Sequence, residues 1–170
     1  MNHDELIYQL VQLTNCNTYL ELGVHRGNTF NRIVPLVKRA IGVDIEDIRI
    51  IKKGEFYLET TDAFFKHFFD PVDVVFIDAD HCFEAVRKDL LNSLPLLTKH
   101  GFIILHDTDP AEAGLLEDHG DGFQYCGDGY KIVDYVEEHL PQVDMVTLPI
   151  LSPGMSFLVR KNTRRVLEFV

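Results

Sequence analysis

The chain has 170 residues, 46% of them hydrophobic, which suits one domain with a sizeable core and is short for two. A formal net charge of −11 would repel a phosphate backbone, so nucleic acid is excluded as the expected partner. Three cysteines (Cys16, Cys82, Cys126), scattered and without a CxxC pair, exclude a disulfide scaffold and point to a reducing, cytoplasmic setting.

The opening MNHDELIYQL is acidic where a leader needs base, and no apolar run reaches membrane-spanning length, so no membrane partner is expected. Within residues 4–13, Leu6, Ile7, Leu10 and Val11 form the stripe of a helix, with Asp4 as its cap. Residues 18–22 read as a strand. Residues 28–38 read as a helix that Pro35 should kink or shorten. Strands are expected at 40–43 and 56–60, then a short helix at 62–68. The clearest strand is 72–77, followed by a helix over 81–97 with Phe83, Val86, Leu90, Leu94 and Leu97 on one face. A fifth strand at 102–105 leads into 107–129, an irregular stretch rich in Gly and acid. Helix returns at 130–140, and strands at 143–148 and 155–160 close the chain.

Short, wholly apolar strands alternating with amphipathic helices predict a parallel sheet covered on both faces. The last two strands are joined by LPILSPG, too short for a crossover helix, and should pair antiparallel. The fold class is therefore α/β: a single domain over 1–170, doubly wound, with a mostly parallel, seven-stranded, Rossmann-like sheet and one antiparallel strand near the C-terminus. Ligands of such sheets gather outside the carboxyl ends of the strands.

Three stretches put chemistry there. In YLELGVHRGNTF, Gly23 and Gly27 allow a tight turn, but Val24 stands where a dinucleotide fingerprint needs its second glycine, which disfavours NAD. About twenty residues on, Asp44 in IGVDI suits the two hydroxyls of a ribose. Glu21 adds a second negative group, which a cationic cofactor would accept. In VVFIDADHCFEA, Asp78, Asp80 and His81 follow a buried strand, and the neighbouring strand ends in HDTD with His106, Asp107 and Asp109. Crowded carboxylates ask for a proton or a cation. Oxygen ligands favour Mg²⁺ or Mn²⁺, and an imidazole tilts the choice toward Mn²⁺, Fe²⁺ or Zn²⁺. The plainer readings are a helix-packing glycine turn, Asp44, Asp62 and Asp80 as caps, and His106 as a hydrogen-bonded strand-end histidine. His81, Cys82 and Cys126 match no zinc spacing, and Cys82 reads as a small core residue.

TYLELGVHRGNTF, IGVDI and DVVFIDADHCFEAVRKDLLNSLPLLTKHGFIILHDT together resemble class I S-adenosylmethionine-dependent methyltransferases, closest to the metal-dependent sugar and antibiotic O-methyltransferases. The resemblance covers nearly the whole chain. It implies S-adenosylmethionine as cofactor, with Glu21, Gly23 and Gly27 along its methionine part, Asp44 on the ribose, and Asp62 with Ala63 near the adenine. It also implies Asp78, His106 and Asp107 as ligands of Mg²⁺ or Mn²⁺, Asp78 thus serving cofactor and metal together. His106 departs from the two acids common in that pair. Asp80 takes the place of the general base, with His81 as second candidate. The acceptor would be a small hydroxylated molecule, neutral or cationic, under a cover formed by 107–129 with Leu115, Leu116, Phe123, Tyr125 and Tyr130; Cys126 and His119 lie in the same stretch. The long N-terminal extension of many relatives is missing, which leaves the pocket open or completed by a partner subunit of a homo-oligomer. Two other readings stand: a cofactor-binding module without methyl transfer, and an NAD-linked oxidoreductase. The basic residues Arg160, Lys161, Arg164 and Arg165 read as a solvated face.

Overall fold

The structure, a computed structural model, describes residues 3–47, 53–112, 116, 125–149 and 153–161. Leu115, His119, Phe123, Arg164 and Arg165 lie outside these residues. Seven strands, β1 (Thr18–Leu22), β2 (Arg39–Asp44), β3 (Glu55–Leu58), β4 (Val72–Ile77), β5 (Leu97–His106), β6 (Val143–Leu148) and β7 (Met155–Arg160), form one sheet in the order β3-β2-β1-β4-β5-β7-β6. Every pairing is parallel except those of β7, which runs antiparallel to both β5 and β6. The doubly wound sheet with one reversed strand is as the sequence predicts.

The central strands are apolar on both faces because each face carries a core. Tyr19, Val74, Phe76 and Ile104 pack under α1 (His3–Thr14) and α2 (Asn28–Ile33). Leu20, Leu22, Val75, Ile77 and Ile103 pack under α3 (Thr61–Phe64), α4 (Phe83–Ser93) and α5 (Ile132–His139). From β1 the chain winds outward to β3, then returns to lay β4 against the other side of β1. The tips of β1 and β4 are thus the switch point of the sheet, where a crevice opens.

Proline punctuates as expected, and at one place more strongly. α2 stops at Ile33 and passes into a 3-10 turn, Val34–Leu36, around Pro35. The helix expected over 81–97 covers only Phe83–Ser93, because Pro95 turns Leu94–Leu96 into a 3-10 segment and Leu97 already belongs to β5. The register of β4 with β5 slips between Val72 and Val74. Arg160 donates to the carbonyls of Leu97 and Thr98 at that irregularity, so it is a strand clamp and not merely a solvated charge. Asp62 does not cap α3. Thr60 does, its hydroxyl accepting from the Ala63 amide. Asp4 lies inside the first turn of α1 and accepts from the Thr29 hydroxyl, tying α1 to α2. No described helix is long and apolar enough to cross a membrane.

Candidate active site

The glycine turn is shaped by contact between strand tips. Gly23 has φ +84°, and a Cβ there would stand 2.1 Å from the Asp78 carbonyl oxygen. Only glycine lets β1 and β4 close this far. The Gly23 amide donates to the Val43 carbonyl and the Asp78 amide to the Leu22 carbonyl, both at 2.9 Å. Gly27, φ +69°, opens α2. The Val24 side chain is buried in the core under α2, so the residue that breaks the dinucleotide spacing is accommodated inward.

Asp44 braces this turn from the end of β2. Its Oδ2 accepts from the amides of Val24 and His25, each at 2.8 Å, and its Oδ1 accepts from the Glu46 amide at 2.9 Å. Oδ2 has both lone pairs engaged, while Oδ1 retains one for a ligand hydroxyl.

Two clefts meet at Gly23, Asp44, Ile45, Ala79 and His81. The larger, about 630 Å³, runs past His3, Asp4, Glu21 and Asp78. The smaller, about 460 Å³, runs past Thr60, Asp62, Asp80, Lys88 and Asp89. Among the expected cofactor residues, Glu21, Gly23, Asp44, Asp62 and Asp78 line one or both arms, while Gly27 and Ala63 line neither. Asp62 pairs at 3.3 Å with Lys88 across the smaller arm.

Glu21 is not the plain negative group its place in the sequence suggests. It is buried, and the Tyr19 hydroxyl donates to it at 2.5 Å. Burial pushes its carboxyl well above the usual range against the Tyr19 hydrogen bond, with Asp78 and Asp4 adding to the rise.

At the tips of β4 and β5 the four expected groups come together. His106 Nδ1 lies 3.1 Å from Asp78 Oδ1 and 2.9 Å from Asp107 Oδ1, and His81 Nδ1 lies 2.6 Å from Asp107 Oδ2. Burial of the His106 ring opposes its charge, but Asp78 and Asp107 outweigh it and raise the ring to about 10. Burial likewise works against the Asp107 carboxylate, yet the two imidazoles hold it down to about 2. The Asp107 contact raises His81, against partial burial. Asp107 itself sits at φ +59°, an uncommon conformation for a residue with a side chain. Asp80 Oδ1 accepts from the Cys82 amide at 2.8 Å and so holds the turn into α4. Cys82 is exposed, not core.

Three of these side chains fit a divalent cation. Donor atoms of Asp78, His81 and Asp107 lie within 4.8 Å of one another. Both Asp107 oxygens are buried, held between the His81 and His106 imidazoles with the Cys126 thiol as a further hydrogen-bonding neighbour. A cavity of about 10 Å³, the size of one ion or water, opens between Asp78, His81, His106, Asp107 and Cys126. The resemblance implies His106 as the third ligand, whereas the imidazole in this donor set is that of His81.

The sequence left several participants unassigned. Tyr125 and Cys126 do return to the site: the Tyr125 ring lies 5.2 Å from that of His81, and buried Cys126 faces the small cavity. Asp128 accepts from the Phe83 amide at 2.7 Å, capping a helix 45 residues upstream, and the Gly129 amide donates to the His81 carbonyl at 2.9 Å. His3 packs edge-on against His106, ring centroids 4.6 Å apart. No sequence spacing announces a cap or a ring contact made across such separations.

Residues 20–108, more than half of the chain, match a family described as a methyltransferase domain. No curated protein matches. Solved structures with a similar fold include an O-methyltransferase from Bacillus cereus in complex with SAH (18% identity, 93% of this chain and 80% of that one, TM-score 0.69). A second is the O-methyltransferase TomG from Streptomyces achromogenes, involved in tomaymycin synthesis and solved with SAM (13%, 94% and 79%, 0.65). An rRNA methylase from Streptococcus thermophilus is also similar (11%, 92% and 95%, 0.66), so the fold by itself does not choose an acceptor.

Proposed function

The chain belongs to the methyltransferase-domain family, and from that premise we propose that it transfers the methyl group of S-adenosylmethionine to a hydroxyl of a small molecule. The observation that carries this reading is the two-armed cleft hinged on Gly23 and Asp44, with a carboxylate–imidazole cluster opening into its larger arm. The sulfonium and ammonium of the donor suit the larger arm, where Asp4, Asp44, Glu46 and Asp78 face a single arginine, Arg26, with the Glu21 carboxyl beside them. A ribose hydroxyl falls to Asp44 Oδ1, and the base of the nucleoside to the smaller arm.

Transfer is an in-line displacement. The acceptor oxygen forms a bond to the methyl carbon as the carbon–sulfur bond breaks, and the sulfur leaves as a neutral thioether. The hydroxyl proton needs a destination. We place it on His81, because Asp107 grips Nδ1 at 2.6 Å and orients the ring, and His81 lines both arms. Asp80 lines the smaller arm and is engaged with the Cys82 amide. A divalent cation held by Asp78, His81 and Asp107 would supply Lewis acidity that lowers the pKa of the acceptor hydroxyl. Were His81 engaged as such a ligand, Asp80 would be the group left to take the proton.

The excess of carboxylates along the larger arm, together with a net charge of −11, argues for a neutral or cationic acceptor and against a nucleic acid one. The test is a thermal shift with S-adenosylmethionine, its demethylated product and NAD, followed by turnover on small diols with chelator or with Mn²⁺. Stabilisation by the first two and not by NAD is expected. Stabilisation by NAD alone overturns the reading, and binding without turnover across the panel points to a cofactor-binding module. In chelator, His81→Ala should abolish turnover and Asp80→Ala should largely keep it.

A further inference from the structure

Asp89 has no part in the chemistry above, and its place on α4 is unusual. Its neighbours Arg87 and Lys88 reach outward to Glu84 and Asp62, whereas Asp89 is only 2% exposed. A carboxyl is rarely buried on a helix without something to meet. It stands against α3, where the Thr61 hydroxyl donates to it, and it lines the smaller arm beside Thr60, Thr61 and Ala85. Burial, with the nearby charges of Asp62 and Asp80, pushes it up to about 7. A carboxyl in that state offers an O–H donor and a C=O acceptor side by side.

The proposed donor leaves one group for this arm, its adenine. The outer edge of adenine presents an amino N–H beside the N1 lone pair, and a carboxylic acid returns the complementary acceptor and donor. We propose that the buried Asp89 carboxyl reads the amino and N1 edge of the donor's adenine at the floor of the smaller arm; this rests on the reading of the cleft given above. Asp62, paired with Lys88 and exposed, then guards the mouth of the arm instead of selecting the base.

Calorimetric titration at pH 6 with S-adenosylhomocysteine and its 1-deaza analogue, in which N1 becomes C–H, tests this. Wild type should prefer the natural nucleoside by about 3- to 10-fold, the value of one hydrogen bond. Asp89→Asn, whose amide keeps a donor beside an acceptor, should retain the preference. Asp89→Leu, judged folded by its circular dichroism and thermal midpoint, should lose it. Equal preference in Asp89→Leu and wild type, or no preference in wild type, overturns the assignment while leaving the donor reading intact. Failure of wild type to bind S-adenosylhomocysteine at all removes the donor reading and this one with it.

Discussion

Asp107 is clamped by two imidazoles, His81 Nδ1 at 2.6 Å on one oxygen and His106 Nδ1 at 2.9 Å on the other. In the proposed mechanism the first contact orients the proton acceptor. The second balances the charge. Asp107→Asn should therefore lower kcat by roughly 10²–10⁴-fold in chelator, the usual worth of a positioned general base. Asp107 raises His81, so the basic form appears only as pH climbs above the ordinary histidine range. Without the carboxylate, the rising limb of kcat/KM against pH should move to lower pH. A limb that stays in place would remove His81 from the proton path.

His106 titrates near 10 in the fold against 6.5 for the free side chain, since Asp78 and Asp107 overcome the burial that opposes its charge. Its contribution to stability is complete below about 6.5 and drains away as pH rises toward 10. Asp107, held near 2, contributes above 3.8 and loses that contribution as the solution is acidified. Urea denaturation should show wild type losing stability from pH 6.5 to 10, and His106→Gln showing a flatter profile over the same window.

Asp89 carries the opposite sign. Its folded value of about 7 against 3.8 means that burial penalises the charged form. The penalty is absent below about pH 4, grows through the interval, and is complete above pH 7. Each unit is worth roughly 1.4 kcal/mol, so Asp89→Asn should be more stable than wild type by about 2–4 kcal/mol at pH 8. The difference should shrink to near zero at pH 4. A constant difference across pH would show that the carboxyl keeps its charge in the fold.

Gly23→Ala places a methyl group 2.1 Å from the Asp78 carbonyl oxygen, at a φ of +84° that side chains disfavour. The variant should lose roughly 3 kcal/mol or more of stability, because main chain cannot yield as a flexible side chain can. Binding of S-adenosylhomocysteine should fall with it. A denaturation midpoint equal to wild type would mean that the strand tips are not pressed together.

The order of elements was legible because apolar runs of strand length alternate with helical stripes, and the short LPILSPG connection demanded a reversed strand. The boundary of β5 was not. Leu97 completes the apolar face of a helix on paper, and only the combination of Pro95, the register slip and the Arg160 clamp assigns it to the sheet. At the site, Asp78, His81, His106 and Asp107 could be foreseen as neighbours because strand order brings two tips together. That Glu21 is buried against Tyr19, or that Asp89 turns inward while Arg87 and Lys88 do not, depends on packing between elements. A one-dimensional pattern records the residue type there and not its surroundings.

Beneath the hinge of the cleft the chain presents peptide groups: the Gly23 amide on the Val43 carbonyl, the Asp78 amide on the Leu22 carbonyl, and the Asp78 carbonyl against the bare Gly23 Cα. Those three contacts are main chain to main chain, and the Asp44 carboxylate braces the turn that follows them. If the methyl donor sits on this hinge as proposed, main-chain contacts set the level of its seat, and side chains along the rim are left to differ around it. A scaffold built this way can change customers and keep its currency.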